Sequence, residues 1–92
     1  MMNILIIEDD QRVSELIKRG LEEQGYEATL AYDGELGKKM ALQNDYDLII
    51  TDIVLPKING LELCKEVRAA KPSVPIIMLT ALGTTDDKIE GF

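Results

Sequence analysis

The stretch NILIIEDD, residues 3–10, drives four consecutive apolar side chains straight into three consecutive carboxylates, Glu8, Asp9 and Asp10. Carboxylates that close repel one another, and beside an apolar segment they are costly to ionise unless positive charge is near. Either the acids open a helix, where aspartate caps well and the helix dipole welcomes negative charge, or they wait for a cation. The segment itself is short and apolar on both faces, as a strand buried inside a parallel sheet must be.

Working outward, the same pattern recurs in DLIIT (47–51) and PIIML (75–79), while EATLAYD (27–33) alternates and reads as an edge strand. Between these runs the apolar period changes to that of a helix. Val13, Leu16, Ile17 and Leu21 give one stripe over 11–24, and Gly25 follows as its C-cap. Leu36, Met40 and Ala41 support a helix over 34–44 that Gly37 weakens. Leu61, Cys64 and Val67 support a third over 60–70, closed by Pro72. Thr84 with Asp87 resembles a capping box that opens a fourth helix. The order β-α-β-α-β-α-β-α predicts an α/β fold, one parallel sheet wrapped by helices with right-handed crossovers.

Ninety-two residues suffice for one domain, 1–92, with little stability in reserve. The apolar share of 46% and charged share of 29% are those of a globular chain. A net charge of −7 argues against direct binding to nucleic acid or an anionic membrane. The sequence has no histidine, which excludes serine–histidine triads and histidine metal sites. Cys64 is the only cysteine, so neither an intrachain disulfide nor a cysteine cluster can form. No apolar run reaches the length of a membrane span, and the N-terminus lacks the basic region of a signal peptide. The expectation is a cytoplasmic protein.

In such sheets ligands bind beyond the carboxyl ends of the strands, where strand order reverses. Glu8, Asp9 and Asp10 follow the first strand, Asp52 ends the third and Thr80 ends the fourth. Helix capping accounts for Asp10 but poorly for Asp52, because IVLP follows it and no helical pattern begins before Asn59–Gly60. A hard-cation site accounts for the whole set: Mg²⁺ takes a few carboxylate oxygens, keeps several waters and commonly binds phosphate as well. With the surplus negative charge offset, one carboxylate can attack phosphorus to give an aspartyl phosphate. Thr80 could then hydrogen-bond a phosphoryl oxygen.

ILIIEDD, DLIITDIVLPKINGLEL and PIIMLTA, in that order and spacing, together resemble the receiver domain of two-component response regulators. The resemblance implies a flavodoxin-like, doubly wound sheet of order 2-1-3-4, with the family's strand 5 and helix 5 missing from this chain. It makes Asp52 the phosphoacceptor, with a histidine kinase as donor. It makes Asp9 a direct Mg²⁺ ligand, Glu8 its companion through water, and the backbone carbonyl of Val54 the third protein ligand. Thr80 matches the hydroxyl residue that contacts the phosphoryl group and shifts on activation, and Ala81 the small residue beside it. Pro56 and Gly60 shape the loop after the third strand.

The missing part would carry the family's phosphoryl-binding lysine and its switching aromatic residue, and neither Lys88 nor Tyr46 stands in their place. The resemblance also points to a parent protein with a C-terminal winged-helix DNA-binding domain that controls transcription. The phosphoacceptor would assist its own phosphorylation and dephosphorylation, with no separate substrate turnover. A fourth strand left as an exposed apolar edge predicts self-association. Competing readings are a Mg²⁺-dependent hydrolase on a similar sheet, disfavoured by valine at position 54 where a second acid is usual, a flavin- or nucleotide-binding module, and a docking receiver that is never phosphorylated.

Overall fold

The computed structural model describes residues 2–53, 58 and 60–79. Four strands, β1 (Asn3–Ile7), β2 (Glu27–Ala31), β3 (Leu48–Asp52) and β4 (Ile76–Leu79), alternate with α1 (Gln11–Glu23), α2 (Gly34–Gln43) and α3 (Gly60–Ala70). All pairings are parallel and the sheet order is β2-β1-β3-β4. The strands expected over 4–7, 47–51 and 75–79 are present within one residue at either end, and β2 lies at an edge as its alternation requires. The capping-box helix from Thr84 lies outside the described residues.

Strand alternation divides the core in two. On one face Leu5, Ile7, Ala31 and Ile49 pack with Ala41 of α2 and with Leu63 and Val67 of α3, and Tyr46 packs against this layer. On the other, Ile4, Ile6 and Ile50 meet Ile17 and Leu21 of α1. Ile4 to Ile7 are all at most 1% exposed. Each such side chain contributes roughly 1.5–3 kcal/mol over its exposed form, so the central strand is the anchor of the fold.

The helices form where expected, but their buried faces are set differently. On α1 the row is Val13, Ile17 and Leu21, with Ser14 fully buried beside it, whereas Leu16 is 69% exposed. Leu16 stands one 100° step from Ile17, beyond the edge of the stripe that reaches the sheet. On α2 the buried positions are Gly34, Gly37 and Ala41, and Leu36 is exposed. Gly37 lies against Ile7, whose side chain occupies the space a Cβ would need. On α3 they are Gly60, Leu63 and Val67, with Leu61 exposed and Cys64 half-buried. Small residues let these helices approach the sheet, so apolar size alone mislocates the face. β4 also departs from full burial: Ile77 is 49% exposed.

The caps follow the sequence chemistry. Asp10 caps α1, its Oδ1 accepting from the backbone N–H groups of Arg12 at 2.9 Å and Val13 at 3.4 Å. Asp33 caps α2 through the N–H of Leu36 at 2.7 Å. Gly25, at φ 92°, follows the C-cap Gln24; the N–H of Gly25 donates to Glu22 O and that of Tyr26 to Leu21 O. These two bonds close a Schellman turn, which needs a left-handed residue and explains the glycine.

Candidate functional site

β1 and β3 are direct neighbours with Ile7 paired to Thr51, so the residues that follow arrive together. Glu8 continues the ladder one step past β1, its N–H donating to Ala31 O at 3.0 Å. That bond fixes Glu8 to the end of β2, while the pairing of Ile7 with Thr51 on the other side of β1 sets it beside Asp52, the last residue of β3. Glu8, Asp9 and Asp52 each bring a carboxylate oxygen within 4.8 Å of the others. Glu8 and Asp52 are 2% and 6% exposed, while Asp9 opens to solvent. The fourth acid is engaged elsewhere: Asp10 serves α1 as its cap, and Arg12 beside it is almost wholly in solvent.

The electrostatics of Glu8 are those of a group lacking its partner. Its Oε2 accepts from the Asp10 N–H at 2.9 Å, but its Oε1 is buried without a hydrogen bond. Burial pushes the Glu8 carboxyl up to about 7, opposed by the Asp10 N–H and reinforced by the neighbouring carboxyls of Asp52 and Asp9. A buried oxygen with no donor, within a set of donors that is all oxygen, fits a hard divalent cation. A softer metal would want nitrogen or sulfur.

Asp52 stands on a tightly held backbone. The Ile53 N–H donates to Leu79 O at 3.1 Å, and the Gly60 N–H donates to Ile53 O at 2.7 Å. The Thr51 hydroxyl donates to Asp52 O at 3.1 Å. A Cβ on Gly60 would overlap the Asp52 carbonyl oxygen, so α3 can begin this close to β3 only with glycine there. Gly34 is confined in the same way against Ile58. The expected shaping role of Gly60 thus has a steric basis, whereas Thr51 was not singled out from the sequence; its one signal was a hydroxyl closing an apolar run. Val54, Pro56, Thr80, Ala81 and Lys88 lie outside the described residues. A groove of about 360 Å³ between Tyr46, Lys71, Pro72 and Pro75 opens at the opposite, amino end of the strands, away from the acids.

A parallel sheet wrapped by helices, with acids gathered beyond the carboxyl ends of β1 and β3, is a doubly wound α/β module whose candidate ligand site lies at the switch point. The response regulator receiver domain family matches residues 4–92, and the chain belongs to that family. It is 45% identical over 91 residues to the response regulator ArlR of Staphylococcus saprophyticus, covering 99% of this chain and 41% of ArlR. It is 42% identical over 90 residues to the transcriptional regulatory protein CusR of Escherichia coli, covering 98% of this chain and 40% of CusR. The chain therefore spans about two-fifths of the length of these relatives.

Among solved structures, the response regulator TrrA of Thermotoga maritima, in complex with Mg²⁺ and BeF, superposes with a TM-score of 0.85 at 38% identity. The match covers 99% of this chain and 79% of TrrA. TrrA in complex with the histidine kinase ThkA also superposes, with a TM-score of 0.83 at 41% identity over 94% of this chain and 74% of TrrA. The sheet order and these superpositions agree with the flavodoxin-like architecture expected from the sequence. No helix among the described residues is long and apolar enough to cross a membrane.

Proposed function

We propose that the chain is a phosphorylation-controlled signalling module in which Asp52 accepts the phosphoryl group and Glu8, Asp9 and Asp52 hold Mg²⁺. The observation that carries this reading is the meeting of three carboxylates within 4.8 Å around a buried Glu8 oxygen that has no hydrogen-bond partner. The bound cation supplies positive charge that offsets the carboxylates and the incoming phosphoryl oxygens. Glu8 and Asp9 hold that cation at the end of β1, and the carbonyl of Val54 completes the protein's share of ligands. An Asp52 oxygen attacks phosphorus as the bond from phosphorus to the donor nitrogen of a phosphohistidine breaks; the electron pair stays on that nitrogen. The product is an aspartyl phosphate, with the Thr80 hydroxyl donating to a phosphoryl oxygen. Because phosphoryl transfer asks mainly for positioning and charge neutralisation, so few groups suffice.

The partner is a histidine kinase, a reading supported by the kinase complex of the structural relative TrrA. The resulting phosphate changes partner affinity by shifting populations of the receiver. In a longer parent protein the switch controls transcription through a C-terminal DNA-binding domain, in keeping with the regulatory names of the relatives, and the site of action is the cytoplasm. No second substrate is turned over.

Intact mass after incubation with acetyl phosphate and Mg²⁺ tests the reading, with EDTA and Asp52→Asn beside it. The expected outcome is one phosphoryl adduct that needs both Mg²⁺ and Asp52. An adduct that survives Asp52→Asn, or none in a chain shown to be folded by circular dichroism, would overturn it.

A further inference from the structure

We propose that Thr51 is a positioning residue for Asp52: its buried hydroxyl fixes the peptide unit that leaves the acceptor residue. The inference rests on Asp52 being the acceptor. Thr51 is fully buried and shares its sheet face with Ile49, in the layer that α2 and α3 cover. Packing alone does not require a hydroxyl there, since valine has the same shape, and a buried hydroxyl is tolerated only when it is bonded. The bond it makes is to the carbonyl of the next residue, Asp52, at 3.1 Å.

The peptide unit between Asp52 and Ile53 is thereby held on three sides. Thr51 Oγ1 donates to its carbonyl, its N–H donates to Leu79 O, and Gly60 lies against it with no room for a Cβ. Two of these restraints are backbone and cannot be removed without moving an element. The third is a single oxygen atom on a side chain. It sets the orientation of the Asp52 backbone, from which the carboxylate projects to join Glu8 and Asp9.

The test compares wild type with Thr51→Val, Thr51→Ala and the hydroxyl-bearing Thr51→Ser. The readouts are Mg²⁺ affinity by calorimetry, the rate of phosphoryl adduct formation with acetyl phosphate, the Ile53 amide resonance and the Tm. The expected result is a severalfold loss of Mg²⁺ affinity and adduct rate in both hydroxyl-free variants, with a shifted Ile53 amide and with recovery in Thr51→Ser. Losses that track the fall in Tm across all three variants, or wild-type Mg²⁺ binding and adduct rate in a hydroxyl-free variant, would overturn the inference. Failure of the wild type itself to form an adduct on Asp52 would instead overturn the reading of the site.

Discussion

Gly60 approaches the carbonyl of Asp52 so closely that the first turn of α3 and the last residue of β3 share one space, with no allowance for a methyl group. The atoms in the way are backbone, the Asp52 oxygen and the Ile53 Cα, and they cannot swing aside as a flexible side chain can. Gly60→Ala is therefore expected to cost on the order of 1–3 kcal/mol. Urea unfolding monitored by circular dichroism measures this, and an unchanged midpoint would refute the steric account.

Two other helical glycines should respond in opposite directions to alanine. Gly20 in α1 has nothing within 4 Å of a Cβ, so Gly20→Ala should gain up to about 1 kcal/mol from helix propensity. Gly37 in α2 would drive a Cβ into Ile7, so Gly37→Ala should lose stability despite the same propensity gain. Thermal melts of the pair decide the point, with each 1 kcal/mol shifting the Tm by about 4–8 °C.

Glu8 should make stability depend on pH and, if it holds the proposed Mg²⁺, cation binding as well. Its carboxyl is raised from 4.5 to about 7, so between those values the folded chain holds the proton more tightly than the unfolded chain. Stability in the absence of Mg²⁺ should fall as pH rises through that window, and Glu8→Gln should flatten the slope. Protons and cation compete for the same oxygens, so the rise in Tm produced by Mg²⁺ should be larger at pH 8 than at pH 6. Equal shifts at both pH values would count against Glu8 as a ligand.

Asp10 should separate from its neighbours in function. Because its carboxylate accepts from two N–H groups of α1, Asp10→Ala should cost about 1 kcal/mol of stability. Mg²⁺ affinity should not fall in parallel, whereas Asp9→Ala should weaken Mg²⁺ binding with a smaller loss of stability. Calorimetric titration alongside thermal melts distinguishes the two acids.

The outer edge of β4 carries a further prediction. β4 pairs with β3 and no other strand among the described residues, and Ile77 stands 49% exposed on it. We expect the 92-residue chain to self-associate at high concentration through this edge. A monomer by sedimentation across the concentration range would refute this.

The strands and their parallel pairing were legible because an apolar run of ILII type can be satisfied only inside a sheet covered on both faces, and because alternation with helices forces parallel pairing; their order was implied only by the family resemblance. The meeting of the acids was legible only on the condition that the first and third strands are neighbours, which the structure shows they are. Helix rotation was not. The apolar period places Leu16, Leu36 and Leu61 on buried faces, yet the structure exposes them and buries Ser14, Gly34, Gly37 and Gly60, whose smallness lets the layers close. The sequence shows what a side chain prefers, whereas the distance between layers decides which preference is met. The role of Thr51 was hidden for the same reason, since its partner is a backbone oxygen that no motif encodes.

β1 lies between β2 and β3, and its Ile4–Ile7 run is closed to solvent on both sides. Edges of a sheet fray before its middle, so amides of β1 should exchange with deuterium only through global unfolding, while those of β2 exchange through smaller openings. Glu8 and Asp9 hang from the end of this interior strand. The two of the three clustered acids that β1 supplies should then survive every partial opening, and lose their geometry only when the whole molecule does.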